Sequence, residues 1–372
     1  MRVAFLTSGR FVPSSRFRVL QFVPHLQRLG HECLVLPSRP DKYASWPLLG
    51  FRLSGVFKRW NRQADLVALE RWSPDVVVLE RELFSDATFD LEQALRRIAR
   101  RLVLDIDDGL FVLHRHKFEV LCGLCDHIIA GSELLAARVR PINPRVTVIP
   151  TCVDVARFGE WTMRCKKYPH DIPRSGFRFP GSLPQFPIQR PQRTVLGWTG
   201  TAANLEYLEV LRDPLKKLSQ EFPIELRVIA ETDRPLRKLG FDRDGVSTRF
   251  VRWSEATEIA DLKGFEIGLM PMLDNDWTRY KCGLKILQYM AAGIPAVASP
   301  VGVNTEIIRH GITGWLATTP DEWLFVLRQL VSSPERYAIS LDLARLVVEG
   351  QYSVQAQLPR LVACLEAVRA GQ

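Results

Sequence analysis

Three polar side chains stand out in KCGLKILQYMAAGIPAVASPVGVNTEII, residues 281–308. Lys281, Lys285 and Gln288 recur at i, i+4, i+7, the spacing of one helix face, while Leu284, Leu287 and Ala291 mark an apolar stripe. Arg279 lies just upstream. The preceding run FEIGLMPM (265–272) reads as a strand, so the cations sit at a strand's carboxyl end and a helix N-terminus. Lysines there oppose the helix dipole, which favours anions at that end by ~0.3–1 kcal/mol. A phosphate or diphosphate reconciles them, because backbone N–H groups, the dipole and two ammonium groups then converge on one anion. The competing reading is a solvated basic surface. Gln288 is the polar exception in ILQYMAA, and a buried amide needs partners. Either a ribose diol or a neighbouring backbone group can serve.

Other candidates occupy loops. Gly302 in PVGVNTE permits close approach to a ligand, and the N–H groups around Val303 can face a diphosphate. Asn304 or Thr305 can cap the next helix, and Glu306 suits its first turn. In GWTGTAANLEYL, Gly200, Thr201 and Ala202 are small, as a loop against a ligand requires; without G-x-G-x-x-G, a nicotinamide fingerprint is not supported. Asp105-Ile-Asp107-Asp108 brings three carboxylates together, which repel unless a cation or hydrogen-bond donors are near. D-x-D also suits a divalent metal holding a diphosphate, and the plain reading is loop-capping carboxylates. Arg10, Ser14, Ser15 and Arg16 occupy the first loop, and Arg16 and Arg18 can be a solvated helix start. Glu80 and Arg81 end another strand. Cys122-Gly-Leu-Cys125 reads as two buried thiols on one helix face, against redox or metal chemistry.

The elements that position these residues alternate. Apolar runs at 2–7, 31–37, 75–80, 101–106, 127–132 and 146–150 read as strands, and 16–30 reads as one amphipathic helix capped by Ser14 or Ser15 and ended by Gly30. A second set lies at 194–200, 224–230, 247–253, 265–272, 294–299 and 314–318. Continuous apolar strands separated by helices predict parallel sheets covered on both faces. The expected organisation is an α/β domain over 1–161, a proline-rich linker or insertion over 162–193, a second α/β domain over 194–355, and a helix over 356–372 packing back toward the first domain. Two such sheets face to face make an interdomain cleft, with ligands at the carboxyl ends of their strands.

Bulk properties narrow the classes. The 372 residues carry a net charge of +9, which fits an anionic ligand, a nucleic acid or an acidic membrane surface. No nucleic-acid recognition motif is visible and the cations are spread along the chain, so a nucleic-acid partner is not expected. Seven scattered cysteines indicate reduced, cytoplasmic usage. No run of about 18 apolar residues spans a membrane. Residues 45–72 mix Trp46, Leu48, Leu49, Phe51, Leu53, Val56 and Phe57 with Arg52, Lys58, Arg59 and Arg62. That stretch either packs on its own domain or lies on an anionic membrane, as a peripheral protein on the inner face would.

The pattern G-x-K-x-L-Q-Y-M-A-A-G-I-P-A-V-A-S-P-V-G-V-N-x-E-I followed by HGITGWL resembles the nucleotide-sugar-binding region of retaining glycosyltransferases of family 4. The resemblance implies the GT-B fold, two Rossmann-like doubly wound domains, with a nucleotide-diphosphate sugar in the C-terminal domain and the acceptor mainly in the N-terminal domain. Over the rest of the chain it is supported by the first strand–loop–helix, IPTCVD (149–154), GWTG and the closing helix after QYS. Where the family has E-x7-E, this chain has Tyr280 and Gln288. An amide can keep the second glutamate's ribose contact, whereas loss of the first bears on sugar positioning. The loop after GWTG lacks the family's arginine and lysine, for which Arg279, Lys281 and Lys285 stand as compensation. Asp107 falls where many relatives place a histidine beside the reacting sugar. The resemblance therefore implies that Asp107 or Asp108 orients the acceptor hydroxyl or stabilises positive charge on the sugar, with Lys285 at the departing diphosphate. In relatives the first loop, here Arg10 to Arg16, faces the donor phosphates. The expected donor is a UDP- or GDP-sugar, with no tightly bound cofactor or metal, and the expected acceptor a carbohydrate or lipid-linked sugar, as in bacterial-type polysaccharide, glycolipid or glycoconjugate synthesis. The alternative is a non-catalytic nucleotide-sugar or glycan binder of the same fold.

Overall fold

The computed structural model describes residues 1–46, 50–160 and 193–371. The proline-rich stretch 162–192, and Pro47, Leu48 and Leu49 of the basic amphipathic segment, lie outside the described residues. Among the described residues twelve strands form two parallel six-stranded sheets. The first contains β1 (Arg2–Thr7), β2 (Glu32–Pro37), β3 (Val76–Glu80), β4 (Leu102–Ile106), β5 (His127–Ala130) and β6 (Val146–Val148), in the order β2-β1-β3-β4-β5-β6. The second contains β7 (Thr194–Thr199), β8 (Ile224–Ala230), β9 (Ser247–Arg252), β10 (Ile267–Met270), β11 (Ala296–Ala298) and β12 (Trp315–Leu316), in the order β12-β11-β10-β7-β8-β9. All twelve coincide with the apolar runs expected from sequence, β1 and β8 in full and the others trimmed at their ends.

The strands are apolar on both faces because both faces are covered. In the first sheet Ala4, Leu6, Val77, Leu79 and Leu104 join one core, and Val3, Phe5, Val76, Val78 and Val103 the other. The second core is closed by the helix Val354–Ala370 through Val354, Leu361, Leu365 and Val368. The second sheet packs around Leu196, Trp198, Leu226, Val228 and Leu269.

The chain separates into two compact units that are not simple halves. The first comprises Met1–Val153, Arg279–Cys282 and Tyr352–Gln372; the second comprises Asp154–Thr278 and Gly283–Gln351. The first break thus falls after Val153, ahead of the expected 161, and the returning C-terminal stretch starts at Tyr352. Strand order reverses between β1 and β3 in the first unit and between β7 and β10 in the second. Open α/β sheets bind ligands at such reversals, at the carboxyl ends of the strands.

Local expectations need three corrections. The single helix over 16–30 is two pieces, Ser15–Leu20 and Val23–Arg28, with Pro24 at the start of the second. Proline supplies no N–H and ends the helix before it, and Leu29 turns outward. Neither Ser14 nor Ser15 caps the first piece through its side chain. The helix after the cations begins only at Leu284, so Lys281 precedes it. Among the described residues no helix is long and apolar enough to cross a membrane.

Candidate active site

In the first unit the carboxyl ends of β1, β3 and β4 bring together an ionic network. Arg18 grips Asp105 with two hydrogen bonds of 2.8 Å each and donates to the Ile149 carbonyl at 2.7 Å. Arg81 Nε donates to Asp107 Oδ1 at 2.5 Å, and its NH2 donates to Asp108 Oδ2 at 2.7 Å. Lys281 Nζ lies 3.8 Å from Asp108 Oδ1. The repulsion expected within Asp105-Ile-Asp107-Asp108 is thus answered by two guanidinium groups and an ammonium group. Glu80, at the end of β3, accepts from the Ser8 N–H at 2.7 Å and the Ser15 hydroxyl at 2.8 Å.

Environment separates these acids. Burial would raise Asp107, but Arg81, Arg18 and Lys281 outweigh it and hold the carboxyl below its ordinary range. Asp105 is pushed up by burial, which Arg18 offsets only in part, and Glu80 is pushed up by burial against the pull of Arg81. Burial opposes the charge on Arg81, yet Asp107 and Asp108 raise its pKa well above the usual value. Asp107 and Asp108 keep 12% and 13% of their side-chain surface, so the two carboxyl groups are presented to solvent and not sealed away. Two carboxyl groups so placed can accept hydroxyl hydrogen bonds and stabilise adjacent positive charge.

The segment Arg279–Cys282 belongs to this unit. Tyr280 packs edge-on against Phe111, with centroids 4.6 Å apart, and lies over Gly109, where an added Cβ would meet it at 3.2 Å. The Cys282 thiol donates to the Asp107 carbonyl at 3.2 Å; burial pushes it up to about 12, so it stays a neutral donor. An added Cβ on Gly131 would come within 2.6 Å of that sulfur. Arg279 is exposed. Arg10 is exposed, with its N–H on Asp41; Ser14 and Arg16 are buried in the first loop.

The second unit builds its own site where β7 and β10 end. Gly268 leaves room for the buried Tyr289 ring, whose hydroxyl donates to the Leu269 carbonyl at 3.1 Å and accepts the Thr199 N–H at 3.3 Å. This fixes the helix Leu284–Ala291 on the sheet. Gly283 precedes it at φ 68°, where a Cβ would strike Ile307. Lys285 then stands over Trp198, Nζ 5.2 Å from the ring centroid, and its Cε is 2.8 Å from where a Cβ on Gly200 would lie. Thr201 accepts from the Asn204 amide at 2.8 Å. The Ala202 N–H, at the head of the turn after Gly200, donates to both oxygens of Glu231 at 2.9 and 3.0 Å.

The remaining expected residues divide by availability. Gln288 is buried and donates to Glu258 at 3.3 Å, so its partner is a carboxylate. Asn304 is buried and donates to the Ser299 carbonyl at 2.9 Å, and Thr305 donates to the Gly302 carbonyl at 3.0 Å. The helix Asn304–Ile307 has Val303 at its N-cap and no side-chain cap, so neither Asn304 nor Thr305 plays that part. Gly302 adopts φ 54°, which glycine accepts readily, Val303 is buried and Glu306 is exposed. Lys281 lies beside Asp108 in the first unit, and Lys285 belongs to the second. Glu231 and Glu258 escaped the sequence reading, since each pairs with a residue about 30 positions away. Cys122 and Cys125 are buried free thiols, and burial pushes Cys122 up to about 12. Among the described residues no group of three or more His, Cys, Asp or Glu side chains is placed to hold a metal.

Comparison with known proteins gives these sites a setting. Residues 193–333 match the family model Glycosyl transferases group 1 and carry a domain of that kind. No curated protein matches the chain. Among solved structures, sucrose-phosphate synthase from Thermosynechococcus elongatus superposes with a TM-score of 0.73 at 12% identity, covering 100% of both chains. Anabaena HepE in complex with UDP and glucose gives 0.67 at 14% identity, over 99% of this chain and 100% of that one. A glycosyltransferase from Rickettsia africae gives 0.65 at 12%, over 99% and 98%. The fold is that of the GT-B glycosyltransferases.

Proposed function

We propose that this chain is a retaining glycosyltransferase that moves a sugar from a nucleotide-diphosphate sugar to an acceptor hydroxyl without a resident metal. The observation that carries the reading is Lys285 against Gly200 and Trp198, inside the stretch that matches Glycosyl transferases group 1. The glycine lets the Lys285 side chain pass close to the backbone at a sheet reversal, and the ammonium supplies the charge a diphosphate needs. UDP in HepE supports a uridine donor; GDP-sugars are the other donor class to test. In the transfer, the bond between the anomeric carbon and the diphosphate oxygen breaks, and the electron pair leaves with the diphosphate. The acceptor oxygen bonds to that carbon on the same face, and its proton passes to the released phosphate or to solvent. Lys285 neutralises the leaving group. Asp107 and Asp108, held by Arg81, orient the acceptor hydroxyl and offset positive charge on the sugar.

The test is transfer or hydrolysis of UDP- and GDP-sugars by the full chain, alongside Lys285→Ala. Loss of one preorganised charge at a developing anion is worth about a hundredfold in rate. The expected result is that loss in kcat/KM with an unchanged circular dichroism spectrum. Unaltered turnover would remove Lys285 from the diphosphate. The non-catalytic reading has one observation in its favour: neither Tyr280 nor Gln288 is acidic, and both side chains are already engaged. Nucleotide-sugar binding with neither transfer nor hydrolysis would establish it.

A further inference from the structure

The helix Gly50–Trp72 is mounted inside out over much of its length. Its inward face carries Ser54, Lys58, Arg62 and Asp65, all buried, joined by Leu69 only near the C-terminal end. Apart from Arg62 Nε, which is buried without a hydrogen-bond partner, their polar groups bond within the first unit. Lys58 Nζ donates to the carbonyls of Lys42 and Ala44 at 2.7 and 2.6 Å. Arg62 donates to the carbonyls of Leu36 and Thr7 at 2.9 and 2.5 Å and to Asp65 at 3.0 Å. Ser54 accepts the Trp46 N–H at 3.0 Å. These bonds lock the rotation of the helix, since turning it would strand buried charges at a cost of several kcal/mol.

The outward face is therefore apolar by construction. Leu53, Val56, Phe57, Trp60 and Val67 fall within about 100° of arc at helical spacing and are 40% to 66% exposed. Trp46 stacks edge-on against Phe57 at the head of this stripe, centroids 5.3 Å apart. A soluble monomer seldom leaves such a stripe uncovered. Charge identifies the cover. Among residues 1–72 the exposed cations are Arg10, Arg28, Arg39, Arg52 and Arg71, against the exposed acids Glu32 and Glu70, so this part of the surface is cationic. Arg52 and Arg71 flank the stripe and are exposed. A second copy would bring its own cationic segment against the first, whereas an anionic lipid surface neutralises it. Tryptophan and phenylalanine suit the boundary between headgroups and acyl chains.

We propose that this outward face is a membrane-docking surface that lies in the plane of an anionic bilayer. The ordinary alternative, a helix packed through its apolar stripe, is excluded by which side is buried. The test is flotation of the full chain with vesicles of phosphatidylcholine alone and with added phosphatidylglycerol, at low and high salt. Wild type should float with the anionic vesicles, and more weakly at high salt. Phe57→Ser with Trp60→Ala, both exposed, should lower partition at least tenfold and leave the unfolding midpoint in place. Wild type that stays in solution with anionic vesicles at low salt overturns the proposal. So does a dimer by light scattering that the same double substitution disperses, for then the stripe is covered by a second copy. Because partition is read and not turnover, a failed transfer assay leaves this surface standing.

Discussion

Arg81 occupies a backbone conformation that few side chains accept, φ 59° directly after β3, with its N–H donating to the Asp105 carbonyl at 2.9 Å. Non-glycine residues reach that region at a cost of about 1–3 kcal/mol and keep it where surrounding contacts over-determine it. Here the gain is two carboxylates on one fork. Arg81→Met should leave Asp107 and Asp108 partly buried without their partner, a loss of about 3–5 kcal/mol. The sign of its pH dependence follows from Asp107. That group's folded pKa is depressed, so it contributes stability above its unfolded value and loses that contribution as pH falls through the folded one. The gap in unfolding midpoint between wild type and Arg81→Met should therefore be widest at neutral pH and narrow as pH drops below about 4, where an unfolded aspartate takes up its proton. A gap independent of pH would assign the loss to packing. The need for a cation here was legible in Asp105-Ile-Asp107-Asp108. Its identity was not, because Arg18 reaches Asp105 across 87 positions and Arg81 reaches Asp107 across 26, distances only the fold closes.

At the scale of elements, strands were the most legible features, since a fully covered parallel sheet writes itself as unbroken apolar runs. Helix starts and faces were less so. Lys281 and Lys285 share a four-residue spacing, but Gly283 intervenes in the left-handed region and starts the helix behind it. A glycine inside an otherwise helical pattern was the signal available. Gly283→Ala forces an L side chain into that conformation and against Ile307, and should destabilise the chain by about 1–3 kcal/mol. It should also weaken nucleotide binding by displacing Lys285. Urea denaturation with nucleotide titration checks both, and a stable variant with undiminished binding would free the site from its dependence on this cap. The helix Gly50–Trp72 deceived for a different reason. An apolar stripe ordinarily faces a core, and only buried bonds from Lys58 and Arg62 reveal that this one faces out.

For the molecule as a whole, contiguity in sequence is a poor guide to contiguity in space. The first sheet's second core depends on Val354, Leu361, Leu365 and Val368, each nearly or fully buried. At about 1.5–3 kcal/mol per side chain, their removal sacrifices roughly 6–12 kcal/mol, comparable to the whole stability of an ordinary domain. A chain ending at Gln351 should thus fail to give a folded first unit. Limited proteolysis should find Met1–Val153 degraded and the second unit protected, and a resistant first unit would contradict this account of the core. The twelve strands were readable in advance, but the detour through Arg279–Cys282 was not, since its contacts are to Phe111, Gly109 and Gly131, far upstream. The same threading sets a timetable during synthesis. Everything the second unit needs has left the ribosome once Gln351 emerges, whereas the first, begun earliest, waits for a helix translated some two hundred residues after its last strand. The later-made lobe can finish first, and the nascent amino-terminal lobe passes that interval with an open flank of valine and leucine, the period when a chaperone has most to cover.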